Sequence, residues 1–168
     1  LSISFFEDTL NIKRPIIRIM PNTPCSVGFG MILYSPGCSV TEEMERRFIE
    51  VMKNAGLLDK IQEQLIDAAS TVSGCGPAFA FIFAEALADA AVECGLSREK
   101  AVLYAAQMLK GSAELILQKG SPAILKDSVC SPGGTTIAGV HALESSAFRA
   151  AAMNAVVSAY KRTLELKK

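Results

Sequence analysis

The run from Ala78 to Cys94, AFAFIFAEALADAAVEC, constrains the fold more than any other stretch of this chain. As a helix it carries Phe79, Phe81, Ile82, Phe83, Leu87 and many alanines, so it is apolar around most of its girth and has to be covered on several sides. Pro77 suits its first turn and Gly95 stops it. Ser97 then caps a second helix, Arg98 to Lys119, amphipathic through Ala101, Ala105, Met108, Leu109, Ala113 and Ile116 and closed by Gly120. Ser121-Pro122 starts a short third helix. A last helix follows a weak break at Ser145-Ser146 and ends on Lys167-Lys168, where cations suit the helix dipole. From Gln62 onward the chain offers about a hundred residues and no strand pattern, which is little with which to bury a central helix of this kind.

Composition points the same way. Half of the 168 residues are hydrophobic and the mean hydropathy is positive, high for a monomer whose helices need one buried stripe each. Either a membrane or a large interface takes up the excess. The charge-free apolar run Ala68 to Ala84 holds Ser-Gly-Cys-Gly-Pro in its first half, which predicts that it is not one spanning helix, and oligomerisation is the reading that follows. Seventeen basic residues balance seventeen acidic ones, which argues against nucleic acid or an anionic membrane surface as a partner. The cysteines at 25, 38, 75, 94 and 130 form no CxxC pair and have no histidine near them to complete a zinc site. No metal is expected, and the thiols read as reduced in a cytoplasmic protein. No secretory leader opens the chain, and its start at Leu1 predicts a piece of a longer protein.

The first sixty or so residues read differently. Leu1 to Asn11 is short and mixed, Lys13-Arg14-Pro15 punctuates it, and Ile16, Ile17 and Ile19 predict a buried strand. MPNTP, Met20 to Pro24, reads as an extended turn, because prolines at 21 and 24 oppose a helix. Phe29 to Tyr34 predicts a second strand closed by Ser35-Pro36-Gly37. Thr41 caps a helix with Met44, Phe48, Val51 and Ala55 on one face, ended by Gly56, and Leu57 to Ile61 predicts a last strand. This is the end of an α/β domain whose beginning is absent. A GxGxxG phosphate fingerprint is not found: Gly28-x-Gly30-x-x-Leu33 lacks the third glycine, and Gly74-x-Gly76 has no strand-helix-strand unit around it. A short helix is expected from Gln62 to about Ala69, followed by a sharp turn at Ser73-Gly74-Cys75-Gly76-Pro77.

The stretch richest in chemistry is Lys126 to Glu144, KDSVCSPGGTTIAGVHALE. Pro132, Gly133 and Gly134 build a tight turn that delivers a helix N-terminus at Thr135 and Thr136. Unpaired N–H groups, the positive end of the helix dipole and the hydroxyls of Ser131, Thr135 and Thr136 make this loop a candidate seat for a carboxylate or phosphate. A capping box would consume those donors, but Ala138 and Gly139 stand where it needs Glu or Gln. The plain alternative is that Thr135 caps its own helix.

KDSVCSPGGTTIAGVHALE resembles the signature of pyrroline-5-carboxylate reductases, and IIRIMPNTP (16–24), LIDAASTVSGCGPAFAF (65–81) and ALADAAVECGL (86–96) resemble the same family in the same order. The resemblance implies a mainly α fold: an all-helical dimerisation and substrate-binding domain over 62–168, like the C-terminal domain of 6-phosphogluconate dehydrogenase, preceded over 1–61 by strands left from a Rossmann-type dinucleotide-binding domain. It implies reduction of 1-pyrroline-5-carboxylate to L-proline by NADPH or NADH, with the main cofactor site in an N-terminal part not in this chain, so the chain alone is expected to be inactive. It implies an intertwined homodimer, or a larger oligomer of dimers, with an interface on the order of 2,000 Å² or more. Ser131, Gly133, Gly134, Thr135 and Thr136 match the family's substrate loop, and the Thr136 hydroxyl its contact to the ring nitrogen. Asn22, Thr23, Gly76 and Pro77 match loops on the cofactor side. For MPNTP a rigid turn between strands is the equal alternative.

Departures from the pattern limit the carry-over. Cys75, Phe79 and Cys130 stand where the family has hydroxyl-bearing residues, so side-chain hydroxyl contacts there do not transfer. Serines and Ala147 replace a Gly-Gly after Glu144, which leaves open whether the helix bends or runs on. His141, with Glu144 three residues on, reads as a local ion-pair or packing residue, not an acid. Glu85 and Asp89 read as buried carboxylates holding loop N–H groups. A non-catalytic helical dimerisation module, or a related imine or β-hydroxyacid reductase, are the other readings.

Overall fold

The computed structural model describes residues 1–10 and 14–166. Asn11, Lys13 and the Lys167-Lys168 end lie outside them. The chain divides into two compact units, Leu1–Pro77 with Ala155–Lys168, and Ala78–Asn154.

The first unit is built on a sheet ordered β1 (Ile17–Met20), β2 (Gly30–Pro36), β3 (Gly56–Lys60). β1 and β2 are antiparallel with Met20 opposite Leu33, and β2 and β3 are parallel with Tyr34 opposite Lys60. The central strand takes the core positions: Ile32, Leu33 and Tyr34 are buried. Gly30 and Gly56 start the parallel ladder opposite each other, where a Cβ on Gly56 would overlap the Gly30 backbone and one on Gly30 would stand 2.8 Å from the Ala55 carbonyl oxygen. Gly56 also takes a φ of 148°, so it serves both conformation and close approach.

Between β2 and β3 lies α2 (Glu42–Met52), capped by Thr41, whose hydroxyl accepts from the Met44 N–H. One hydrogen-bonded chain joins all three elements: Tyr34 donates to Glu45 Oε1 at 2.9 Å, and Lys60 donates to Glu45 Oε2 at 2.8 Å. The Tyr34 ring lies 5.2 Å from that of Phe48. Burial, with the Glu45 carboxylate beside it, pushes the Tyr34 hydroxyl up to about 12. The Lys60 hydrogen bond holds Glu45 below the usual carboxylate range. A short 3₁₀ turn, Glu63–Leu65, leads into α3 (Ile66–Ser73), which buries Ile66 and Thr71. Arg18 on β1 bridges to Glu63 at 3.4 Å and to Asp67 at 3.0 Å.

Several sequence expectations are corrected here. Ile3–Leu10 forms a helix, α1, in a stretch read as merely mixed. Thr23–Val27 is a 3₁₀ helix, not extended, because Pro24 occupies its first turn, where a missing N–H costs nothing. β2 runs on through Ser35 and Pro36, and α2 ends at Met52 before a 3₁₀ turn leads into Gly56. α3 extends to Ser73, and the Gly74-Cys75 step is not a sharp turn. Gly74 keeps right-handed dihedrals, and Gly74 and Cys75 both donate to the Ser70 carbonyl, at 2.7 and 3.1 Å. Glu63–Glu93 is, by length and composition, long and apolar enough to cross a membrane, contrary to the expectation that its glycines forbid it.

The second unit is helical. It holds most of α4 (Gly76–Glu93), then α5 (Arg98–Lys119), α6 (Pro122–Ser128), α7 (Thr135–Ser145) and the start of α8 (Phe148–Glu165). Gly95, at a φ of 97°, closes α4: it donates to Val92 O while Leu96 donates back to Ala91 O. Ser97 caps α5 through the Lys100 N–H. The helix does break after α7. Ala147 takes a φ of 56°, the one positive φ outside glycine among the described residues, so a non-glycine carries the strain of this turn. α4 buries Ala88 and α5 buries Ala101 and Ala105, but Phe81 and Ile82 are 63% and 66% exposed. Among the described residues, nothing covers Phe81 and Ile82.

Candidate functional site

α6 ends with Val129 and Cys130 donating back to Lys126 O and Asp127 O, and the chain enters the Ser131–Thr136 loop. Gly133 has a φ of 68°, open to glycine without strain, and nothing lies within 4 Å of where its Cβ would be. Gly134 is glycine for the opposite reason. Its φ of −78° suits any residue, but a Cβ there would overlap Ser131 Oγ and lie 3.1 Å from Ser131 O. The Ser131 side chain is thus folded over Gly134, and Gly134 N–H donates to Ser131 O at 3.0 Å.

α7 begins at Thr135 with Gly134 as its N-cap and no side-chain cap, so Thr135 does not cap its own helix. The first helical bond runs from Ala138 N–H to Gly134 O. The N–H groups of Thr135, Thr136 and Ile137 and the hydroxyls of Ser131, Thr135 and Thr136 donate to no acceptor among the described residues. Both threonines are exposed. Three N–H groups, three hydroxyls and the positive end of a helix therefore lie on one open loop, a set of donors suited to a carboxylate. Lys126 stands at the entry, its ammonium pushed above the ordinary lysine range by its hydrogen bond to Asp127.

In the first unit, the expected cofactor-side residues fall at the turn before β2 and at the start of α4. Asn22 precedes the 3₁₀ turn and its side-chain amide donates to Ser73 O at 2.9 Å; its oxygen accepts from Met31 N–H at 2.9 Å. Met20 Cε lies 3.5 Å from where a Gly74 Cβ would be. Asn22 thus ties the turn before Thr23 to Ser73 at the end of α3, three residues ahead of Gly76 and Pro77 in the first turn of α4. Thr23 is exposed, and a Cβ at Gly76 would meet nothing within 4 Å. No glycine-rich cradle for a dinucleotide's phosphates occurs in the chain. The contacts Asn22–Ser73 and Met20–Gly74 had no sequence signal beyond the two prolines that stiffen the turn.

Other expectations fail. Glu85 and Asp89 are exposed, not buried, and Asp89 pairs with Arg98 across the α4–α5 junction. Glu144 pairs with Arg149, while His141 lies near Ser145 at 3.5 Å, so the His141–Glu144 ion pair is absent. Among the described residues no group of three or more His, Cys, Asp or Glu could hold a metal.

The family model for pyrroline-5-carboxylate reductase dimerisation matches residues 63–166. Among curated proteins, the pyrroline-5-carboxylate reductase of Arabidopsis thaliana is 48% identical over 151 residues, covering 89% of this chain and 55% of that protein. That of Escherichia coli (strain K12) is 44% identical over 160 residues, covering 95% and 60%. Among solved structures, the Plasmodium falciparum pyrroline carboxylate reductase with NADP bound superposes with a TM-score of 0.89 at 36% identity, over 97% of this chain and 66% of that one. The Coxiella burnetii pyrroline-5-carboxylate reductase gives 0.90 at 33% identity, over 99% and 63%. The chain spans little more than half the length of its curated relatives.

Proposed function

The chain belongs to the pyrroline-5-carboxylate reductase dimerisation family, and from that premise we propose that the protein of which it forms part reduces 1-pyrroline-5-carboxylate to L-proline with NADPH or NADH. The observation that carries this reading is the uncapped start of α7. The substrate's carboxylate takes the free N–H groups of Thr135 and Thr136 and the Ser131 hydroxyl, charge-assisted bonds of roughly 1.5–3 kcal/mol each. Gly133 and Gly134 let the backbone approach. The Thr136 hydroxyl orients the ring nitrogen; it is too weak an acid to serve as the proton source, and the ring arrives as the protonated iminium. When bound, the nicotinamide supplies a hydride to the C=N carbon. Thr23, Gly76 and Pro77 form the cofactor edge, with Asn22 supporting it from behind.

We place the boundary between the two functional parts near residue 62, just before the family match begins. The helical part assembles as a homodimer, or as a larger oligomer of dimers, through the uncovered faces of α4 and α5, which places the apolar run Glu63–Glu93 in an interface and not in a membrane. Free thiols at all five cysteines suit a cytoplasmic protein.

The test uses the full-length chain, assayed by oxidation of NADPH and of NADH with pyrroline-5-carboxylate and with β-hydroxyacids. Turnover of the imine alone is expected, and Thr136→Val should lower kcat/KM more than tenfold. An unchanged value removes Thr136 from the site; turnover by residues 1–168 alone refutes the need for a further part.

A further inference from the structure

We propose that Asn22 is a positioning residue that stands in for the N–H that Pro77 lacks, and thereby fixes the Ser73–Pro77 backbone. In a continuous helix the Ser73 carbonyl would accept from the N–H four residues on. That residue is Pro77, which has no N–H and whose ring crowds the same carbonyl. The helical path widens accordingly: Cys75 N–H reaches back five residues to Ser70 O at 3.1 Å, alongside Gly74 N–H at 2.7 Å. Pro77 thus cannot donate to the Ser73 carbonyl, and the Asn22 amide does so at 2.9 Å from 51 residues away. The other end of the same amide is anchored, since Oδ1 accepts from Met31 N–H at the start of β2 and lies 3.7 Å from Cys25 Sγ. Asn22 is therefore held by the sheet and holds the loop.

Gly74 completes the arrangement, because a Cβ there would lie 2.8 Å from Ser70 O and disturb the widened turn. Asn22 was a candidate cofactor ligand, but its side chain is half-buried and engaged at both ends by the chain. The link from this clamp to catalysis rests on the function proposed above, in which Gly76 and Pro77, at the end of the Ser73–Pro77 segment, border the cofactor.

The test is a rescue in the full-length enzyme. Asn22→Asp keeps the acceptor for Met31 N–H but sets a carboxylate oxygen against the Ser73 carbonyl. It should speed amide exchange across residues 74–78 at least tenfold and lower kcat about tenfold, with cofactor KM changed less than threefold. Adding Pro77→Ala restores an N–H at position 77, and Asn22→Asp/Pro77→Ala should return exchange and kcat to within threefold of the unmodified enzyme. A direct ligand role would raise cofactor KM, leave exchange unchanged and resist rescue, and that result overturns the proposal. If Asn22→Asp fails to fold, recovery of folded protein by Pro77→Ala supports the proposal and failure of both variants overturns it. If the unmodified full chain does not reduce pyrroline-5-carboxylate, the functional reading falls, while the exchange rescue still decides the role of Asn22.

Discussion

Gly134→Ala tests the construction of the loop most sharply, because two neighbours of its absent Cβ differ in how easily they move. Ser131 Oγ would be overlapped, yet it can leave by rotating about its own χ1, at about 0.5–1.5 kcal/mol if the new rotamer is imperfect. The Ser131 carbonyl oxygen, 3.1 Å from the new methyl, is pinned by its 3.0 Å hydrogen bond from Gly134 N–H and must give by a few tenths of an ångström. The whole cost to stability is then roughly 1–2 kcal/mol. The cost to catalysis is separate, because the displaced hydroxyl is one of the groups proposed to hold the carboxylate. Losing one charge-assisted bond of roughly 1.5–3 kcal/mol lowers kcat/KM by about 10- to 150-fold. Steady-state kinetics of the full-length enzyme, with Gly134→Ala, Ser131→Ala and the double variant, form a cycle. If displacement of Oγ is the mechanism, Gly134→Ala costs little once Ser131 is already alanine. Equal losses in both backgrounds would refute the reasoning. Gly133→Ala serves as control: it adds only the strain of a positive φ, about 1 kcal/mol, and moves no neighbour.

Other expectations are simpler. Ala147→Gly should relieve the left-handed strain between α7 and α8 and raise stability by about 1 kcal/mol, read by calorimetry as a rise in Tm of roughly 2–4 °C; a lower Tm contradicts it. Because the Tyr34 hydroxyl is raised to about 12, the stability it contributes is complete below pH 10 and lost as pH rises from 10 through 12. The ceiling is ~2.7 kcal/mol, reduced by solvent screening around half-buried Glu45 to roughly 1–2. Denaturant titrations of Tyr34→Phe should lack that alkaline loss, and an identical pH profile counts against it. The homodimer predicts no stable monomer at micromolar concentration in sedimentation, and Phe81→Glu or Ile82→Glu should dissociate it; a monomeric parent chain would end that proposal.

What could be read from the sequence was what local chemistry decides. Thr41 and Ser97 were legible as caps because the donor they bind lies three residues away. Gly95 and Gly133 were legible because only glycine takes their φ without strain. Cys75 and Gly74 misled, since a Gly-Cys-Gly-Pro string signals a turn, while the actual path depends on a proline that denies Ser73 its partner and on an asparagine 51 residues earlier that replaces it. The Arg18 bridge to Glu63 and Asp67 was hidden for the same reason: the acids recur at i and i+4, but nothing local says which strand supplies the cation. Glu85 and Asp89 were misplaced because acids on an apolar helix imply burial only if the helix is buried within its own chain.

That last error reveals how far a sequence constrains its own fold. The demand that Ala78 to Cys94 be covered was sound, and it is met neither by α5 nor by any element of the second unit, since Phe81, Ile82 and Leu103 stand 60% or more exposed. Burying one such side chain contributes about 1.5–3 kcal/mol. A handful of them on one face therefore rivals the entire stability of an ordinary domain, roughly 5–15 kcal/mol. A chain carrying that much uncovered apolar surface gains more from association than from any rearrangement of its own helices. Under the proposed function, the apolar pattern of α4 is information about the assembly, and the free donors at the start of α7 are information about the ligand. Both are demands that the single chain states and does not satisfy.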